Sequence, residues 1–110
     1  MSVESTIAFY GIQFEVPASE VEQLELRCHP LLLKAKTASL QHYWANFGGI
    51  DPKYEILIGK KLAVLGLENS FEFVITCSEL QAMIEDVRQK LLTAGFEDEP
   101  KLLIQYLPPN

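Results

Sequence analysis

The sequence predicts an α+β domain, with a mainly antiparallel sheet of about four to five strands and two main helices packed on one face. Three observations support this fold class. Apolar residues alternate with period two over 5–16, which is typical of a half-buried strand. Over 79–94 they recur at helical spacing. Strands and helices are also segregated along the chain, which favours an antiparallel sheet with helices on one side.

A short helix is predicted after the first strand. Pro17 ends the strand, and Ser19 with Glu22 forms a capping-box pattern at the start of the helix. Helical spacing places Cys28 on the apolar face of this helix. We therefore expect Cys28 in the core rather than in a catalytic site.

The segment 31–53 has the least regular pattern. Pro30 is unfavourable for continuing the first helix and favourable at the first position of a new one. A second short helix is therefore predicted over 31–38, with an extended segment as the alternative. Amphipathic rings alternate over 39–47, which predicts a strand, and the two glycines that follow predict a loop.

The run 54–66 is rich in β-forming residues but is interrupted at Gly59. A tight turn at this point would make a hairpin, whereas a bulge would bend one long strand. We predict the bent strand. The polar residues after it indicate a turn into a further strand over 71–76.

The C-terminal third contains the clearest helical pattern. Ser78 is the predicted N-cap of the helix over 79–94, and Gly95 has the pattern of a C-terminal stop. A last strand is predicted over 102–107. This order of elements is similar to a ferredoxin-like βαββαβ core with an insertion, and residues 1–110 are predicted to form a single α+β domain.

The formal net charge is −6, and the charges are unevenly distributed. Residues 27–61 carry six basic residues against two acidic ones, whereas the segments before and after are acidic. A phosphate backbone would repel such a chain, so we expect no nucleic-acid partner. Since the sequence has neither an apolar run of bilayer length nor a signal-peptide pattern, we expect no membrane association and a cytoplasmic location.

Motifs that would indicate a cofactor or a metal are absent from the sequence. GxGxxG, GxxxxGK[ST], HExxH and GxSxG do not occur, so no cofactor and no metal are predicted. The best pattern for recognition is HYWANFGG over 42–49, which combines rings with polar tips, although these rings could also fill a core. With two lysines at the predicted bend as a source of positive charge, the candidate ligand-binding residues are His42, Tyr43, Trp44, Asn46, Lys60 and Lys61.

These features predict a small non-catalytic interaction module. It self-associates, or it binds an acidic protein partner or a small anionic ligand through the basic, aromatic middle segment. One alternative is a small acidic regulatory or inhibitor protein that binds a basic protein partner. Another is a small enzyme in which Cys77 acts with a histidine. A homodimer is expected, because exposed sheet edges, apolar residues and oppositely charged segments all favour association.

Overall fold

Four antiparallel strands form one sheet in the computed structural model, which describes residues 4–48 and 50–107. The sheet order is β2-β3-β1-β4, so β2 and β4 are its edges. All neighbouring strands are antiparallel, which confirms the predicted α+β class. The ferredoxin-like comparison stays a prediction. The strands are β1 (Ser5–Glu15), β2 (Gln41–Asn46), β3 (Tyr54–Gly66) and β4 (Lys101–Leu107).

Three helices occur in the described part of the chain: α1 (Val21–Glu25), α2 (Pro30–Thr37) and α3 (Cys77–Thr93). All three contribute to one apolar cluster on one side of the sheet, which we call the helix side. The cluster contains Tyr10, Ile12, Leu24, Leu32, Ala35, Ile56, Ile58, Val87 and Leu91, among others. A smaller cluster lies on the opposite face, around Ile7, Phe9 and Leu57.

The ends of α3 follow from local sequence. Its N-cap is Thr76 and not Ser78 as predicted, because the Thr76 hydroxyl accepts from the Glu79 amide at 3.1 Å and donates to the Glu79 carboxylate at 2.9 Å. The Thr76–Glu79 pair has capping-box spacing two residues earlier in the chain, with the Glu79 carboxylate accepting from the Thr76 hydroxyl. The predicted stop at Gly95 is present, since the Phe96 amide donates to the Leu91 carbonyl at 3.0 Å and Gly95 has a φ of 87°.

β3 is one bent strand, as predicted for 54–66. Its register with β1 shifts at the pair Ala8/Phe9, which is the signature of a bulge. Gly59 lies directly opposite Gly11, and a Cβ atom on Gly11 would lie 2.0 Å from the Ile58 carbonyl oxygen. The two central strands therefore approach more closely here than side chains would allow.

Two predictions about local structure are wrong. Residues 71–76 are not a strand; they lead from the end of β3 to α3, for which Thr76 is the N-cap. Cys28 is exposed rather than in the core, because α1 ends at Glu25, and Arg27 then has a left-handed φ of 59°. Cys77, the first residue of α3, is also exposed.

Candidate functional site

The six predicted ligand-binding residues lie on β2 and on β3, where the sheet divides them between its two faces. Neighbouring residues of a strand point to opposite faces. Trp44 packs against the helix-side cluster, whereas Tyr43 packs against the cluster on the opposite face. Lys60 and Lys61 are consecutive in β3 and likewise point to opposite faces. Ligand binding by these residues as one site stays a prediction, and Gly49 of the segment lies outside the described residues.

Asn46 and His42 have environments that do not favour an anion. The Asn46 side-chain oxygen accepts hydrogen bonds from the amides of Gly48 at 3.0 Å and Lys53 at 2.9 Å, so it closes the connection between β2 and β3. Burial, and then the nearby Arg27 guanidinium, lower the pKa of His42 below its ordinary value. The neutral imidazole is therefore favoured, and His42 contributes no positive charge near neutral pH.

Lys60 lines a cleft of about 430 Å³ between β3 and α3. A second lysine in this cleft, Lys90, is 3.1 Å from the Asp86 carboxylate. This ion pair leaves Lys60 as the one lysine of the cleft without a carboxylate partner among the described residues. One exposed lysine offers little basis for selecting an anionic ligand.

No described hydrogen bond joins either cysteine to a histidine, and both cysteines are exposed. His29 is buried, with Nε2 2.6 Å from the Glu20 carboxylate and Nδ1 accepting from the Leu31 amide at 3.2 Å. Both ring nitrogens are therefore occupied in holding the start of α2. No described hydrogen bond joins Cys77 to His42, and the described residues hold no group of three or more His, Cys, Asp or Glu placed to bind a metal.

The largest exposed apolar feature of the sheet lies along β4. Leu102, Ile104 and Tyr106 are 55%, 66% and 47% exposed, and their even spacing puts them on one face of the strand. Leu102 pairs with Tyr10, which belongs to the helix-side cluster. Leu67 and Phe71 line a cleft of about 360 Å³ with Tyr106. We call these five exposed residues the β4 surface.

The exposure of β4 follows from where the helices lie. α3 packs over β1 and β3, and the helix-side cluster contains no residue of β4 among those described. The odd-numbered residues Leu103 and Leu107 instead pack against the cluster on the opposite face. One face of this edge strand is therefore packed and the other is open.

Acidic residues flank both ends of the β4 surface. The turn 97–99, which is Glu-Asp-Glu, precedes β4 and lines a cleft of about 360 Å³ with Tyr10, Ile84 and one basic residue, Arg88. At the other end, Glu4 lines a cleft with Tyr106, and burial followed by the nearby Glu4 carboxylate raises the pKa of Tyr106 above its ordinary value. The surface is thus apolar at its centre and mainly acidic at its ends.

Sequence reasoning identified β4 as a strand but not as the open edge. Residues 101–107 read KLLIQYL, in which apolar residues do not alternate with polar ones, so the pattern does not tell which side is packed. Taken alone, the acidic turn 97–99 indicates only a solvated face. Its position next to an apolar strand with only one charged residue is the signal that the sequence offers for this surface.

Comparison with known proteins adds no functional information. The sequence matches no family model, and no curated protein or solved structure shows significant similarity to the chain. Within 4–48 and 50–107, none of the helices combines the length and the apolar character that crossing a membrane requires. Function is therefore argued from the sheet and its surfaces alone.

Proposed function

We propose that the protein is a non-catalytic interaction module that binds an extended segment of another protein along β4. The observation that carries this proposal is that β4 is an edge strand with three exposed apolar side chains on one face. An added strand would pair with the N–H and C=O groups of β4 that point away from β1. Its alternate side chains would contact Leu102, Ile104 and Tyr106.

β4 also lacks most of the devices that protect edge strands from pairing. Such edges usually carry inward-pointing charges, prolines or bulges. Within Lys101–Leu107 the single charged residue is Lys101, at the very start, and there is no proline. The register with β1 is regular along the strand. These properties support a role in strand addition.

Selection of peptides tests this proposal without assuming a particular partner. A phage library of random linear heptapeptides is selected on the parent protein, on Ile104→Lys and on the control Leu26→Lys. The control is closely matched, since Leu26 is 67% exposed and Ile104 66%. We expect enrichment of peptides with alternating apolar residues on the parent and on Leu26→Lys, and its loss on Ile104→Lys.

Two results of the selection would contradict strand addition at β4. The first is the absence of any enriched family of peptides on the parent protein. The second is enrichment that persists on Ile104→Lys. Circular dichroism of both variants serves as the folding control, and because both side chains are exposed we expect parent-like spectra.

The homodimer expected from the sequence stays a prediction, and a homodimer that formed through β4 would compete with the proposed segment for this edge. Light scattering over a range of micromolar concentrations tests it directly. A mass that stays near 12.4 kDa rejects the homodimer. A mass near twice that value supports it, and Ile104→Lys then reports whether β4 is the interface.

A further inference from the structure

We infer that the segment bound along β4 is basic at two positions four residues apart and apolar midway between them. This inference rests on the proposed function and names the chemistry of its partner. The exposed residues Leu102, Ile104 and Tyr106 occupy alternate positions on one face. They span about 13 Å, so an added strand places its own residues i, i+2 and i+4 beside them.

The charged residues near these three positions specify which types of side chain the partner carries beside them. The turn 97–99 shares a cleft with the helix-side residue Tyr10, so it lies on the same side of the sheet as Leu102. At the far end Glu4 lines a cleft together with Tyr106. Ile104, between them, has apolar neighbours on its face. The complementary sequence is basic, then apolar, then basic.

Lysine or arginine suits the two outer positions for a second reason. Their aliphatic stems can cover the exposed carbons of Leu102 and Tyr106 while the charged heads reach the carboxylates beyond. Lys101 does not neutralise this face, because its odd position directs it with Leu103 to the opposite face of the sheet. Arg88 offsets only one of the three acidic residues in its cleft.

The same charges disfavour a second copy of this chain as the occupant. In an antiparallel β4–β4 pair, the start of one strand lies beside the end of the other. The acidic turn 97–99 of one copy would then approach Glu4 of the second copy, and each chain carries a net charge of −6. The other edge strand of a second copy, β2, does not suit β4 either. It contains neither lysine nor arginine, so it does not have the basic–apolar–basic pattern.

Two synthetic peptides test the inference, each labelled with fluorescein and followed by anisotropy. The first has the core Lys-Thr-Ile-Thr-Lys and the second Glu-Thr-Ile-Thr-Glu, with glycines at both ends. At low salt we expect the lysine peptide to bind at least about tenfold more tightly than the glutamate peptide. The difference should shrink at 0.5 M salt, because screening weakens exposed charge pairs.

Variants of the protein show which residues the peptide contacts. Ile104→Lys should abolish binding of the lysine peptide, and Leu26→Lys should leave it unchanged. Glu4→Gln combined with Glu99→Gln should reduce the preference for the lysine peptide several-fold. The control Glu25→Gln, at an exposed carboxylate on α1, should not alter this preference.

The outcomes separate this inference from the proposed function. Equal binding of both peptides, lost in Ile104→Lys, overturns the charge assignment and leaves strand addition intact. Binding of neither peptide overturns the inference, and it also contradicts the proposed function when the library yields no enriched family. A doubled mass that Ile104→Lys returns to 12.4 kDa identifies a second copy as the occupant and overturns the inference.

Discussion

The two edge strands of the sheet, β2 and β4, differ in how their side chains are packed. On β2, Trp44 packs against the helix-side cluster and Tyr43 against the cluster on the opposite face, so each face of this strand has a partly buried ring. On β4, Leu103 is packed whereas Ile104 is 66% exposed, so one face is open. Both strands are edges of the sheet, but only β4 also presents a row of exposed large apolar side chains among the described residues.

The placement of the helices explains this difference. α2 packs beside β2 and β3, whereas α3 packs over β1 and β3 and leaves the helix side of β4 open. The short connection from α3 to β4 is also acidic, while the residues near β2 include the basic Arg27. The partner specificity proposed for β4 thus rests on where α3 lies and on the turn after it.

The largest expected effect is a difference in stability between the two edges. Trp44→Ala removes a half-buried ring that packs against the helix-side cluster and should lower the free energy of unfolding by roughly 2 kcal/mol. Ile104→Ala removes an exposed side chain and should change it by less than about 0.5 kcal/mol. Urea unfolding of the two variants measures both values. Similar losses from the two variants would remove the distinction between a packed and an open edge.

A smaller expected effect concerns the pH dependence of the free energy of unfolding, to which His42 on β2 contributes. The pKa of His42 is lowered in the folded protein, so protonation of this residue favours the unfolded chain. Its contribution to the free energy of unfolding is complete above about pH 6.5 and is lost as the pH falls below that value. The slope of stability against pH between 7 and 5 should therefore be shallower in His42→Gln than in the parent. Identical slopes in urea unfolding would argue against a lowered pKa.

The smallest expected effect is on the pKa of Tyr106, near the C-terminal end of β4. Burial raises the pKa of Tyr106, and the Glu4 carboxylate in the same cleft adds to that shift. Glu4→Gln should therefore bring the pKa of Tyr106 closer to its ordinary value, as followed by the NMR signals of this ring between pH 8 and 12. Glu22→Gln, at an exposed position of α1, serves as the control. An unchanged Tyr106 titration would place Glu4 away from the end of β4.

Periodicity predicted the fold better than it predicted the surface. The alternation over 5–16 and the helical spacing over 79–94 report one buried face each, and the structure has a strand and a helix there. Residues 71–76 have the same alternation, but they bridge β3 and α3 instead of pairing in the sheet. Local sequence cannot specify such a tertiary connection.

The open edge itself could not be predicted for a similar reason. Whether Leu102 and Ile104 are packed depends on where α3 lies across the sheet, which is set by contacts distant in sequence. The segment 42–49 has a composition that fits either a binding site or a core. The structure packs Trp44 against the helix-side cluster and Tyr43 against the cluster on the opposite face, and ligand binding there stays a prediction. Composition alone does not specify the face on which each residue lies.

Amide hydrogen exchange at the two edges, measured by NMR with and without the lysine peptide, tests the central claim most directly. In the unbound protein, the β4 amides that point away from β1 should exchange rapidly, because they have no partner in the sheet. With saturating peptide, we expect alternate β4 amides to slow by at least about tenfold, while the β2 amides stay unchanged. Slowing at β2, or unchanged exchange along β4 with the peptide bound, would contradict strand addition at the open edge.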